Sequence, residues 1–314
     1  MSVVTSQNSS SSVLQVEDQR VSSYQKWIGI LAASLMVLVW ASYFMSLKIG
    51  ASSALTTYEI ALFRFVIPGV LLAPLFIRHF NSIRKVPLIY LAGLLIGGGV
   101  PFFWLGAMGM KTGLVAEGST LIPGVAPLFV TGLAVLLFRQ PLSQWRLYGL
   151  ILIASGVATF LLESLSGGNG LMGQGIFLLA SFFWALFAVS VRQCGLSPLV
   201  AASVVTLPSS CFLLIYGLMY QPELGWYQVE WNELFAQMLV QGLGAGLASS
   251  FLFAFAISRL GAETTSAIGS LTPVVASGIA LLWLNEVLNE HILLGIFLIS
   301  IGVVLASGAI KTEK

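Results

Sequence analysis

The chain has 314 residues, of which 57% are hydrophobic and only 8% charged, with a mean hydropathy of +0.95 and a net charge of +2. A soluble domain carries about 25% charged residues, so this chain lacks the charge to coat a water-facing surface and its excess apolar residues must face lipid. The small net charge, with no basic cluster interleaved with aromatics, excludes a nucleic-acid partner.

Residues 1–26 are polar, rich in Ser, Gln and Val, and show no periodic apolar face. They are expected to form a disordered tail. They do not read as a signal peptide, because the first apolar run begins only at Trp27 and is too long for an h-region. From there, apolar runs recur near the ~20 residues needed to cross a ~30 Å hydrocarbon core. Ten are predicted: 28–47, 58–77, 87–109, 114–138, 147–162, 173–191, 199–220, 235–258, 264–284 and 291–310. The joins carry turn chemistry or charge, as in Gly50-Ala-Ser-Ser, Arg139-Gln-Pro and Ser166-Gly-Gly-Asn-Gly. Such runs must be helices, since only a helix or a closed barrel satisfies its backbone in lipid.

The Lys/Arg distribution sets the expected orientation. With the N-terminus inside, the inner segments hold Arg20, Lys26, Arg78, Arg84, Lys85, Arg139, Arg146, Arg192, Arg259, Lys311 and Lys314, and the outer ones only Lys48 and Lys111. The bias predicts both termini cytoplasmic in the cytoplasmic (inner) membrane.

The chain also repeats itself. At an offset of 146, Glu117 meets Glu263, Pro127 meets Pro273, Ala134 meets Ala280, Gly149 meets Gly295 and Gly156 meets Gly302. Near the starts of the copies the offset is 144, where Gly29 meets Gly173, Trp40 meets Trp184 and Lys48 meets Arg192. Two units follow, at 27–165 and 171–310. Five crossings each is an odd number, so the second copy must run in the opposite sense, the inverted-topology arrangement of secondary transporters.

These residues resemble the EamA-type branch of the drug/metabolite transporter superfamily. The matching motifs are Trp40-Ala-Ser-Tyr-Phe with Lys48, Arg64-Phe65, Pro127 with Arg139-Gln-Pro-Leu, Gly149 and Gly156-Val157, and Pro273 with Asn285-Glu-Val-Leu, Gly295 and Gly302-Val303. The resemblance covers about 28–308. It implies an all-α integral membrane fold of ten transmembrane helices, exporting small metabolites or drugs through a cavity lined by helices 1, 3, 4, 6, 8 and 9. One departure stands out. The family usually has Gly-Glu where the fourth and ninth helices end; Glu286 keeps the acid, whereas Gln140 replaces it in the first copy.

Arg64 is the sharpest single signal. An intramembrane Arg costs at least ~2.5 kcal/mol on insertion scales, so it must find a partner, a cavity or the interface. It reads either as a structural pair or as a substrate contact. Glu117 and Glu263 open pseudo-equivalent helices, where a carboxylate suits the helix dipole; they are also the candidates for gating or proton coupling. Glu59 has the same helix-start reading. Trp40, Tyr43, Phe102, Phe103, Trp104, Trp184 and Trp283 suit a roomy apolar pocket, with hydrogen bonds from Ser42, Thr120 and Ser270. The expected substrate set is thus Trp40, Tyr43, Arg64, Trp104, Thr120, Trp184 and Ser270.

Absences narrow the chemistry. No P-loop is present, the only aspartate is Asp18, and the two histidines, His79 and His291, fall in loops. Cys194 and Cys211 have no metal-like spacing and read as packed free thiols. No cofactor, no metal site and no enzymatic constellation is expected. The expectation is a secondary transporter exporting small metabolites, amino acids or amphipathic drugs by alternating access, as a monomer or homodimer in the bilayer. An importer, or a membrane scaffold or enzyme, is the alternative.

Overall fold

The computed structural model describes the backbone of residues 7–167 and 171–307, and side-chain surroundings for 23–163, 165, 171–261 and 264–307. The side chains of Asp18, Arg20, Glu263, Lys311 and Lys314 lie outside the described residues.

Every regular element among the described residues is helical. Nine helices are long and apolar enough to cross a membrane: α1 (Ser23–Ser52), α2 (Thr57–Arg78), α3 (Leu88–Thr112), α4 (Val115–Phe138), α5 (Gln144–Glu163), α6 (Leu171–Gln193), α7 (Pro198–Tyr220), α8 (Trp231–Gly261) and α9 (Thr264–Trp283). A shorter apolar helix, α10 (Glu290–Ala306), completes the ten. Large apolar side chains such as Val70, Leu71, Leu136, Leu218, Leu282 and Phe297 stand exposed on the outside, which only a lipid surround explains on this scale. Exposed Trp and Tyr side chains collect at the helix ends. Tyr24, Trp27, Trp145 and Tyr148 mark one end, and Tyr220, Trp226, Tyr227, Trp231 and Trp283 the other, as interfacial belts do. These ends are called the Trp27 end and the Trp231 end below.

The packing carries the duplication into space. α2 packs on α7, α4 on α9 and α5 on α10, each helix against its own counterpart, while α3 against α6 is matched by α8 against α1. Gly149 of α5 touches Gly302 of α10, and Gly156 touches Gly295. The contact order is reversed along the two helices, so equivalent helices run antiparallel and the repeat is inverted. The turns after α4 and α9 are also alike. Arg139 and Asn285 take left-handed φ of 50° and 52°, and the next N–H, of Gln140 or Glu286, reaches the Ala134 or Ala280 carbonyl at 3.3 Å in both.

Three elements differ from expectation. The first helix starts at Gln7, so part of the tail is drawn on as helix, extension from a formed helix costing far less than nucleation. α3 breaks at Gly99 (φ −93°, ψ −154°), because Pro101 lacks an N–H and clashes with the carbonyl four residues earlier. α8 is π-helical over Met238–Ala248, a stretch with Gly242, Gly244 and Gly246 and a geometry often found at functional sites.

Candidate substrate site

Arg64 lies about two turns into α2. Pro68, one turn further on, has no N–H to offer the Arg64 carbonyl, which opens the ladder at this point. Gly246 of α8 fills in against it: a Cβ there would sit 3.1 Å from the Arg64 oxygen. The kink and the glycine thus bring α2 and α8 together at the level of the arginine.

The side chain of Arg64 turns toward α1, with its Cζ 5.2 Å from the centroid of the Tyr43 ring. That is a cation–π contact, weaker than an ion pair. Its Nη1 is buried without a hydrogen-bond partner, and so is the hydroxyl of Tyr43. Opposite that hydroxyl stands Gly106 of α3, where an added Cβ would still be 3.6 Å away. On α8, Gln241 donates from Nε2 to the Ser46 hydroxyl at 3.0 Å, which itself donates to Gln237 Oε1. Gln241 Oε1 is left buried and unpartnered. Three helices, α1, α2 and α8, therefore leave two donors and one acceptor open in the interior. Each buried unpaired group costs about 1–3 kcal/mol. A ligand with an anionic or acceptor group facing Arg64 and Tyr43 would recover that cost.

The aromatics lie around this point in two sets. Trp40, one turn before Tyr43, has Phe253 at 6.0 Å and lies against Gly269 beside Ser270. Its counterpart Trp184 packs between Phe102 at 5.3 Å and Phe187 at 5.1 Å, and Phe103 meets Phe65 edge-on at 5.8 Å. Trp104 and Ser42 are half-buried. Thr120 is fully buried and donates to the Ala116 carbonyl at 2.6 Å, and Ser270 donates to Ala267 at 2.7 Å, so both hydroxyl protons are engaged by their own helices. Trp283, grouped with the interior aromatics by sequence, is 77% exposed at the end of α9 and belongs to the interfacial belt. Trp283 continues the face of the buried Thr272, Ala276 and Ala280, but it is the last residue of α9, where a Trp favours the interface.

No carboxylate is placed against Arg64 among the described residues. Among the described residues the buried acids Glu59, Glu117 and Glu286 are all at the Trp231 end, holding backbone N–H groups. Glu59 caps α2, accepting from Thr56 N at 2.7 Å, and also receives Gly225 N at 3.0 Å and Trp226 N at 2.9 Å. Glu117 caps α4 through Leu114 N at 2.9 Å and takes Gln174 Nε2 at 2.9 Å. Glu286, from the turn after α9, accepts from Val115 N at 2.9 and 3.1 Å and from Ala116 N at 3.4 Å. It thus caps a helix of the other repeat, a partnership invisible in sequence because the residues are 171 positions apart. Lys48 closes the same corner, donating to the Met110 and Gly113 carbonyls at 3.2 and 2.6 Å. Among the described residues no group of three His, Cys, Asp or Glu could hold a metal. Both cysteines are free, Cys194 buried and Cys211 exposed.

Known proteins share this architecture. The model of the EamA-like transporter family matches residues 27–162 and 171–308. The uncharacterized transporter YdfC of Bacillus subtilis (strain 168) is 27% identical over 284 residues, covering 85% of this chain and 86% of the relative. The uncharacterized transporter YwfM of the same organism is 26% identical over 292 residues, covering 90% and 95%. A crystal structure only 16% identical superposes with a TM-score of 0.59 over 90% of this chain and 97% of its own, a likeness of fold alone. Matched across both halves, the chain belongs to the EamA-like transporter family.

Proposed function

We propose that this protein exports small organic molecules carrying an anionic group and an apolar or aromatic body, by alternating access about the Arg64–Tyr43 site. The observation that supports the reading is Arg64 itself: a guanidinium inside the bundle with no carboxylate against it among the described residues and a buried, unbonded Nη1. A structural ion pair would have supplied its own acid. Tyr43 adds a second open donor, and Trp40 and Trp184 supply flat apolar surface on either side in the repeat. Amino acids and aromatic or amphipathic acids fit that chemistry.

The orientation in this reading follows the positive charges. Among the described residues the Trp27 end carries Lys26, Arg78, Arg84, Lys85, Arg139, Arg146, Arg192 and Arg259, and the Trp231 end Lys48 and Lys111. The Trp27 end is then cytoplasmic in the inner membrane. Glu117, engaged by Leu114 and Gln174, serves here as a gate residue at the outer end rather than as a substrate contact. Comparing metabolites in the medium of cells expressing the wild-type chain or Arg64→Gln, at matched membrane abundance, tests the proposal. Carboxylate-bearing metabolites should rise outside only with the wild type; equal profiles would sink it.

A further inference from the structure

The fold is symmetric, but the polar clasps at its two ends are not. Three of the side chains that bridge elements at the Trp231 end are Glu286, to the first N–H groups of α4, Gln174, to Glu117, and Lys48, to the end of α3. The repeat gives each a counterpart at the Trp27 end. Glu286 corresponds to Gln140, Gln174 to Ile30 and Lys48 to Arg192. The backbone equivalence holds in space. Gly173 packs against Gly113 and Gly29 against Arg259, its counterpart pair, and Gln140 and Glu286 leave matching left-handed turns.

Only the side chains differ. Gln140 is half-buried and its side chain makes no hydrogen bond among the described residues, Ile30 is exposed and has no polar group, and Arg192 is exposed without a hydrogen bond. A carboxylate can take two backbone N–H groups at once, and charge-assisted bonds of this kind are about twice as strong as neutral ones. A neutral Gln offers one oxygen and no charge to a helix N-terminus.

We infer that Glu286 decides the side on which the empty carrier waits. It holds the Trp231 end shut by capping α4 from the opposite repeat, while the Gln140 substitution leaves the Trp27 end without the matching latch. Latched by a buried carboxylate at one end, and held at the other by the neutral-acceptor bonds of Arg259 to Gln25 and Arg146 to Thr131, a duplicated, otherwise balanced carrier gains a direction. With the orientation proposed above, on which this direction rests, substrate enters from the cytoplasm. The latch itself does not depend on the substrate.

Double electron–electron resonance on purified full-length protein tests it, in a Cys194→Ser/Cys211→Ser background without ligand. One spin-label pair is placed at positions 112 and 287, and a second at their counterparts, 258 and 141; all four residues are exposed. The wild type should give one narrow distance for 112–287 and a broader distribution for 141–258. Glu286→Gln should raise the separated 112–287 population roughly tenfold or more, as loss of charged hydrogen bonds implies. The exchange Gln140→Glu/Glu286→Gln should invert the pattern, narrowing 141–258 and broadening 112–287. A merely structural role for Glu286 would not produce that inversion. Should the exchanged protein fold poorly, Gln140→Glu alone, which keeps Glu286, must narrow 141–258. A 112–287 distance left narrow by the exchange, or a 141–258 distance untouched by Gln140→Glu, overturns the inference, whatever the substrate proves to be.

Discussion

Gly149 and Gly302 lie in direct backbone contact: a Cβ on Gly149 would fall 2.6 Å from the Gly302 carbonyl oxygen, and one on Gly302 would fall 2.7 Å from that of Gly149. With Gly156 and Gly295 they form the seam between α5 and α10, a small-residue interface of the kind that lets membrane helices approach closely. Gly149→Leu or Gly302→Leu should therefore force the helices apart. The expected cost is about 1–3 kcal/mol or more, read as a lower melting temperature in detergent and less folded protein in the membrane. The alanine variants should be milder. Gly132, with open space around its Cβ position, is the control that should accept Ala without loss.

Much of this seam was legible beforehand. The 146-residue register pairs Gly149 with Gly295 and Gly156 with Gly302, and the odd number of crossings per copy already requires opposite senses. Contact between 149 and 302 is what opposite senses then imply. Glu286 was less readable. Its asymmetry with Gln140 stands out in sequence, but its partner is the start of α4, and only tertiary packing brings the two together. The cost of a charge in lipid singles out Arg64, yet that no acid stands against it among the described residues needs the structure. Trp283 shares the buried face of α9 by helical spacing and differs only in standing at the helix end, and the break of α3 at Gly99 interrupts a run that reads as continuous in sequence.

Tyr43 offers a separation of stability from function. Its hydroxyl is buried without a partner, so Tyr43→Phe keeps the ring beneath Arg64 and removes only an unpaired polar group. Thermal stability should be unchanged or raised, since an unsatisfied group costs about 1–3 kcal/mol. Export should fall. A loss of both would mean that the hydroxyl has a structural partner in the membrane.

Glu59 should be structural. Its carboxylate collects N–H groups from Thr56, Gly225 and Trp226, pinning the 221–230 segment to the start of α2. Glu59→Gln should cost about 1.5–3 kcal/mol, the range for hydrogen bonds to a charged group. Faster hydrogen exchange or proteolysis across 221–230 is the readout, with the export phenotype retained where the protein remains folded.

Trp40 and Trp283 make a matched pair of the same residue type. Trp40, half-buried against Phe253 and Gly269, should reduce export when changed to Ala. Trp283→Ala, in the interfacial belt, should leave export within about twofold, as expected for an exposed position away from the site.

Binding to the purified protein shows whether the guanidinium of Arg64, whose buried Nη1 has no hydrogen bond, reads an anionic group on the substrate. A thermal-shift panel would compare aromatic and aliphatic carboxylic acids with their methyl esters, on the wild type and on Arg64→Gln. A ligand that binds the folded state raises the melting temperature as its concentration exceeds Kd. If Arg64 reads that group, some acids stabilise the wild type, their esters do not, and Arg64→Gln loses the response. Esters that stabilise as well as acids, or a response that survives in Arg64→Gln, would contradict it.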